Sequence, residues 1–268
     1  MVTNDRERQG TEALYRLEGV RFAADGRDIL GPIDAVFERG RIHGLIGPNG
    51  SGKSTLMRML ARQERPSAGR VLFRGEDVFS FSERTFARQV AYMAQFAPAA
   101  EGLTVEELVA LGRFPWHGAL GRFSDTDAEK VEEALAATGL GPLQRRLVDS
   151  LSGGERQRAW LAVMIAQEAG CLLLDEPTSA LDVAHEVEML TLLHRMTGER
   201  GVTAIVVLHD INMATRICDA LVALRDGVIV AEGPPEQVMR SDVLARIYGI
   251  GMGILEHPRT GAPIGYVE

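Results

Sequence analysis

The stretch Gly47-Pro48-Asn49-Gly50-Ser51-Gly52-Lys53-Ser54-Thr55 decides how the rest of this chain is read. It follows a short apolar run ending in Leu45-Ile46 and precedes a helix-like pattern, Leu56-Met57-Arg58-Met59-Leu60, so it reads as strand, glycine loop, helix. In that context the GxxxxGK[ST] pattern binds phosphate. Its glycines let successive backbone N–H groups face one concavity, and the helix start adds the positive end of its dipole. The predicted ligand is a polyphosphate, with Lys53 reaching its β- and γ-phosphates, Ser54 holding a bridging magnesium ion and Thr55 adding a donor. Of 29 lysines and arginines only Lys53 and Lys130 are lysines. A compact ammonium suits a phosphate cradle that a planar guanidinium would crowd, which argues against a chance glycine turn.

The 268 residues suit one large domain, or a core with an inserted subdomain. A formal charge of −8 with scattered arginines leaves no basic stripe, so nucleic acid is not an expected partner. Cys171 and Cys218 lie in apolar segments without CxxC or metal-ligand spacing and read as reduced core thiols. No apolar run approaches the ~18 residues of a membrane span, and the start, Met1 to Arg8, is too polar for a secretory signal. The chain is therefore expected inside the cell, serving a membrane process only by docking onto another polypeptide.

Leu14 to Phe22 alternates apolar and polar as a half-buried strand, and a turn at Asp25-Gly26 with the run Ile33 to Phe37 continues an antiparallel sheet. Phe22 reads equally as a core aromatic or as a ring stacking on a nucleotide base. A strand from Val90 ends at Gln95, and from about Phe96 to Ala169 the period becomes helical. Within that stretch Ser152 and Glu155 form a capping box, yet Gly153 and Gly154 fill the first two helical positions, which a cap alone does not need. Close approach of an anion to bare N–H groups does need them. The apolar run Cys171 to Leu174 delivers Asp175 and Glu176 to the carboxyl end of a buried strand, where two adjacent carboxylates call for a cation. Asp175 is expected to hold magnesium and Glu176 to polarise the attacking water. A further buried strand, Thr203 to Leu208, ends at His209, and a βαβ crossover places it at the same edge. Leu221 to Leu224 and Val228 to Ala231 read as edge strands, followed by a helical stretch and a Gly/Pro-rich tail.

These residues resemble the ATP-binding subunits of ATP-binding-cassette transporters. Gly47 to Ser54 is similar to Walker A, Leu172 to Glu176 to Walker B, Leu151 to Gln157 to the family signature, Gln95 to the Q-loop glutamine, Ser179 to Asp182 to the D-loop and His209 to the switch histidine. The likeness runs from about Leu14 to His257. Finer texture, Gly112-Arg113-Phe114-Pro115-Trp116-His117-Gly118 and His209-Asp210-Ile211-Asn212 among it, is similar to ATPases of ferric hydroxamate siderophore importers. The resemblance implies an α/β P-loop core (1–95 and 170–257) with an N-terminal antiparallel β-subdomain, an inserted helical subdomain (96–169) and flexible termini (1–13 and 258–268). It implies ATP and magnesium as cofactors, with the metal on Ser54, Gln95 and Asp175 and with Glu176, His209 and Gln95 catalytic. It also implies a head-to-tail homodimer in which Ser152, Gly153, Gly154, Glu155 and Gln157, with Asp182 of the D-loop, serve the partner's ATP. A membrane permease is expected to dock on residues 96–125, with Phe114, Pro115 and Trp116 as anchors. A separate substrate-binding protein acts indirectly, and the place of work is the cytoplasmic face of the inner membrane. Haem, cobalamin or another iron chelate is the alternative cargo. A metabolite kinase would not need residues 151–157, and a soluble cassette of DNA repair or translation would need coiled-coil insertions or tandem cassettes that this chain lacks.

Overall fold

Alternation of apolar and polar side chains from Leu14 to Phe22 forms β1 (Ala13–Ala24), paired antiparallel with β2 (Arg27–Glu38) in the computed structural model. The structure describes residues 12–24, 26–95, 100–118, 121–178 and 181–268. The polar start (1–11), Asp25 of the expected turn, 96–99 and 119–120 of the expected docking stretch, and Ser179 and Ala180 of the D-loop lie outside the described residues. After β2 the chain enters a fully buried strand, β3 (Ile42–Ile46), the glycine loop and α1 (Lys53–Leu60). It returns to the first sheet as β4 (Ala68–Phe73) and β5 (Glu76–Asp77), then passes through α2 (Glu83–Ala87) into β6 (Val90–Met93). The helical excursion is α3 (Val105–Ala110), α4 (Phe114–His117), α5 (Asp125–Ala137) and α6 (Gly153–Ala166). There follow β7 (Cys171–Leu174), α7 (Val183–Arg200), β8 (Thr203–Val207), α8 (Ile211–Ile217), β9 (Ala220–Arg225) and β10 (Val228–Gly233). The last elements are α9 (Pro235–Val238), α10 (Ser241–Tyr248), β11 (Met252–Glu256) and β12 (Pro263–Val267).

The main sheet has the order β10-β9-β3-β8-β7-β6, parallel from β9 to β6 with β10 antiparallel at one edge. Its inner strands are mostly apolar because both faces are covered, with His43 on β3 and Thr203 on β8 as buried polar exceptions. Leu45, Leu173, Ile205 and Val222 face the cluster shared with the antiparallel sheet β2-β1-β4-β5. Ile42, Ile46, Leu172, Leu174, Ala204, Val206 and Leu221 face the cluster shared with the helical excursion and with α10. A period of two with cover on both sides leaves few polar positions, and these two are partnered, Thr203 Oγ1 accepting from Gly40 N–H and His43 Nε2 lying 2.9 Å from Glu38 O. The excursion leaves from β6 and returns at β7, which are neighbours, so it interrupts no strand pairing. Among the described residues no helix is long and apolar enough to cross a membrane.

Two expectations are corrected. Leu221 to Leu224 do not form an edge strand, because β9 lies between β10 and β3 and only β10 is at the edge. The tail from 258 is not wholly loose either, because Pro263–Val267 pairs antiparallel with β11 and its Gly265 is buried.

The expected anchor role of Trp116 also changes. Its indole N–H donates to Gln167 O at 2.8 Å, and the guanidinium groups of Arg88 and Arg113 lie 5.0 and 5.1 Å from its ring centre. Arg84 and Arg88 both donate to the carbonyls of Pro115 and Trp116. Trp116 therefore fastens α4 to α2 and to the end of α6, as a ring with a polar handle does when half-buried. Exposed apolar surface in this region falls instead on Leu111, Phe114 and Phe123.

Behind Trp116, Arg113 is buried and donates to Asp127 Oδ1, to Ala166 O and to Glu168 Oε2, so the guanidinium does not stand alone in the interior. Burial raises the Asp127 carboxyl, but hydrogen bonds from Arg113 and Ser124 outweigh it and hold the group at about 2. A folded-state pKa below the unfolded one contributes stability that is complete above about pH 4 and lost as pH falls toward 2. Asp127→Asn is therefore expected to cost on the order of 2 kcal/mol at neutral pH. In acid titrations followed by circular dichroism, the gap from wild type should close between about pH 4 and 2.

Candidate active site

Four strands of the main sheet end at one carboxyl edge, and each delivers a predicted residue there. The glycine loop follows β3, Gln95 lies two residues past β6, Asp175 and Glu176 follow β7, and His209 lies two past β8. This is the edge where open parallel sheets collect ligands.

The loop owes its path to two glycines. Gly47 has φ +135° and an added Cβ would overlap the Leu224 carbonyl, while Gly52 caps α1 at φ +98° and would overlap Leu30. Only glycine combines that conformation with that closeness. Lys53 is buried and donates to the carbonyls of Gly47 (2.8 Å) and Pro48 (2.9 Å), which keeps one of its three N–H donors for a ligand. Burial lowers its pKa, against the nearby charges of Glu176 and Asp175. The buried hydroxyl of Ser51 has no partner among the described residues. Ser54 donates to Asp175 Oδ1 at 3.1 Å, and burial, followed by repulsion from Glu176, raises the Asp175 carboxyl.

Glu176 is gripped on both oxygens. His209 Nε2 lies 2.7 Å from Oε1, and Gln95 Nε2 donates to Oε2 at 2.5 Å. Its backbone sits at φ +53°, a left-handed conformation that a non-glycine residue holds only where its surroundings fix it. The result is an oriented carboxylate facing a phosphate cradle across a cleft of about 370 Å³. That cleft is lined by Asn49, Gly50, Gly52, Lys53, Ser54 and Thr55 with Ile29, Gln95, Glu176 and His209. Such an arrangement can hold a polyphosphate and take a proton from a water beside it.

Not every predicted residue meets here. Phe22 is buried in the core of the antiparallel sheet, opposite Leu30, and does not line the cleft. Its expected stacking role is corrected, because β1 turns position 22 inward with Val20, and with Leu17 across a register shift between Leu17 and Val20. Ile29, on β2, lines the cleft, and no sequence signal marked it.

Ser152, Gly153, Gly154, Glu155 and Gln157 also lie outside the cleft's lining. Ser152 Oγ accepts from Glu155 N at 3.2 Å and Glu155 Oε2 from Ser152 N at 2.8 Å, while Gln157 donates to the Pro177 carbonyl. The helix start is thus capped and open, with Gly153 exposed. Asp182 caps α7 and accepts from His185 N at 3.0 Å, with the His185 ring 2.8 Å away. His185 was not foreseen; its Nδ1 would stand 3.9 Å from a Cβ placed on Gly154, so it adjoins the signature.

Comparison with known proteins agrees with this geometry. The family described as ABC transporter matches residues 30–179. The ferric enterobactin transport ATP-binding protein FepC of Escherichia coli (strain K12) is 43% identical, covering 95% of this chain and 94% of its own length. The iron(3+)-hydroxamate import ATP-binding protein FhuC of Bacillus subtilis (strain 168) is 40% identical over 89% of this chain and 88% of its own. Among solved structures, the dimeric bacterial ABC transporter cassette MJ0796 superposes with TM-score 0.74 at 26% identity, covering 82% of this chain and 98% of that one. With a family match over residues 30–179 and relatives 43% and 40% identical over most of their length, the chain belongs to the ABC transporter family.

Proposed function

We propose that this protein is the ATP-hydrolysing subunit that powers import of an iron(III) chelate through a partner membrane permease. The observation that carries the reading is Glu176, fixed by His209 and Gln95 across the cleft from Lys53 and Ser54. Lys53 and the loop amides bind the β- and γ-phosphates, Glu176 takes the proton of the attacking water, and His209 and Gln95 hold its carboxylate toward that water. Ser54, Asp175 and Gln95 offer hydroxyl, carboxylate and amide oxygens, hard donors of the kind magnesium takes, and the Asp175 carboxyl raised by burial suits a site that a cation completes. Bound there, magnesium offsets the charge of the β- and γ-phosphates.

Two copies pair head to tail, because the cleft holds no signature residue of its own chain and MJ0796 is described as a dimeric cassette. Ser152, Gly153 and Gly154 then face the partner's nucleotide, with Glu155, Gln157 and Asp182 around them. The permease docks over the stretch 96–125, through exposed Leu111, Phe114 and Phe123 rather than Trp116. The protein works as a peripheral subunit on the cytoplasmic face of the inner membrane, and a substrate-binding protein contributes without touching it. FepC and FhuC are named for ferric enterobactin and iron(3+)-hydroxamate, so the shared cargo chemistry is a ferric siderophore, and the hydroxamate class is the reading adopted. Loss of growth on ferric hydroxamates in a strain lacking this protein, with growth on ferric enterobactin retained, tests that choice; the reverse pattern overturns it.

Glu176→Gln is expected to retain magnesium-ATP binding and to slow hydrolysis by at least about a hundredfold. On gel filtration with ATP it should run as a stable dimer where wild type dimerises only transiently. Turnover within about threefold of wild type removes Glu176 from the proton-accepting role.

Ser152→Arg should abolish hydrolysis while its monomer still binds ATP, whereas Lys53→Ala should lose binding. A mixture of the two variants contains dimers with one intact composite site and should regain hydrolysis that neither shows alone. Loss of ATP binding in Ser152→Arg as complete as in Lys53→Ala would place the signature on its own chain's nucleotide.

Phe114→Ala is expected to weaken co-purification with the permease and iron uptake, with thermal midpoint and basal hydrolysis nearly unchanged. Trp116→Ala should instead lower the thermal midpoint by several degrees, since it removes the indole hydrogen bond and two cation–π contacts. Equal loss of permease binding with no thermal change in Trp116→Ala returns that ring to the docking surface.

A further inference from the structure

The His209 side chain is 44% exposed, and its recorded ring partner is Glu176, so the place of its imidazole depends on how the junction between β8 and α8 is held. β8 stops at Val207 and α8 has seven residues, of which Ile211 and Ala214 are buried. So short a helix gains little from its own backbone hydrogen bonds. Its first turn is fixed by side chains. Asp210 Oδ1 accepts from the backbone N–H of Asn212 at 2.7 Å and of Met213 at 3.2 Å.

Asn212, three residues from His209, then reaches out of the helix to β12. Its Nδ2 donates to Gly265 O at 3.1 Å, and Gly265 N–H donates back to its Oδ1 at 2.8 Å. The carboxamide thus pairs with the outward backbone groups of β12 as a residue of a third strand would. Gly265 has little freedom to drift. It is buried opposite Ile254 of β11, and an added Cβ would stand 3.3 Å from Leu244, 3.5 Å from Met239 and 3.6 Å from Met252. The hairpin of β11 and β12 is therefore seated against Met239 and α10 and tied by two hydrogen bonds to the first turn after His209.

We propose that Asn212 is a positioning residue for ATP hydrolysis, through which the hairpin of β11 and β12 holds His209 in place against Glu176. This rests on the reading of Glu176 and His209 as hydrolytic residues. Each bond of the tie is weak singly, but the pair fixes both position and rotation of the helix start, and a small displacement of a group that orients a reactant lowers turnover more than binding. Asn212 touches neither the phosphate loop nor Glu176 in the recorded contacts, so its loss leaves the binding of ATP to Lys53 and the loop intact.

The test is steady-state hydrolysis by the full chain carrying Asn212→Ala or Gly265→Pro, the second removing the N–H that Asn212 accepts from and adding a ring whose Cβ falls 3.3 Å from Leu244, so its fold is checked by circular dichroism first. Each should lower kcat about tenfold with KM for magnesium-ATP within about twofold of wild type, and the double variant should be no worse than the worse single, as for two ends of one contact. ATP-driven dimerisation in the Glu176→Gln background should survive Asn212→Ala. If Asn212→Ala does not fold, Asn212→Asp, which keeps the acceptor for Gly265 N–H, carries the same test with a smaller fall in kcat. A kcat within twofold of wild type in a folded Asn212 variant overturns the proposal, as does a KM that rises in step with the fall in kcat. Failure of the underlying functional reading looks different: Glu176→Gln would then hydrolyse ATP at the wild-type rate.

Discussion

Cover on both faces of the parallel sheet is the constraint from which the rest of the molecule follows. Strands that must be apolar on either side cannot carry polar chemistry along their length, so reactive groups are displaced to their ends. β3, β6, β7 and β8 run parallel and side by side with β9, and their carboxyl ends form one edge. The phosphate loop, Gln95, Asp175, Glu176 and His209 gather there because each follows the carboxyl end of a strand whose length is mostly buried in apolar packing. The antiparallel sheet on one face and the helices on the other are the cover, and each also contributes function: Ile29 to the cleft wall from the first, the glycine-started α6 from the second.

Within the edge, partial burial sets the electrostatics. Desolvation lowers Lys53 and raises Asp175, so each charge in the cradle gains from a ligand that brings the opposite one. Glu176 sits in a left-handed backbone conformation with both oxygens occupied, so its direction is over-determined rather than free. That combination, an oriented base beside a phosphate cradle, is what makes hydrolysis the natural reading of the site.

The helical excursion is fastened to the core at the same place where it exposes apolar surface. Arg84 and Arg88 of the α2 region hold the carbonyls of Pro115 and Trp116, while Trp116 and Arg113 hold the carbonyls of Gln167 and Ala166 at the end of α6. Phe114 lies between these grips and faces solvent. A force applied at Phe114 therefore meets both the core and the far end of the helix whose start carries Ser152 and Gly153. The distance between exposed Phe114 and Ser152 is bridged by one continuous helix and by polar contacts at its far end.

Local chemistry was legible in the sequence wherever a residue type is demanded by backbone geometry or by charge. Gly47 and Gly52 had to be glycine, Lys53 followed them, the acid pair needed the end of a buried strand, and Ser152 with Glu155 announced a capped helix; each is a rule acting over a few residues. Position in the sheet was not legible. An apolar run reads alike at an edge and in the middle, so the interior place of β9 was missed, and an aromatic in an alternating strand reads alike facing a core or a base, so Phe22 was given a role that the inward turn of β1 denies it. Trp116 could be read as an anchor or as cover for a core, because sequence cannot show that Arg88 and Arg113 approach its ring and that Gln167 accepts its N–H. The pairing of Asn212 with Gly265 spans 53 residues and no local pattern announces it. Short-range stereochemistry determined which groups could do the chemistry, and only long-range packing decided which of them meet.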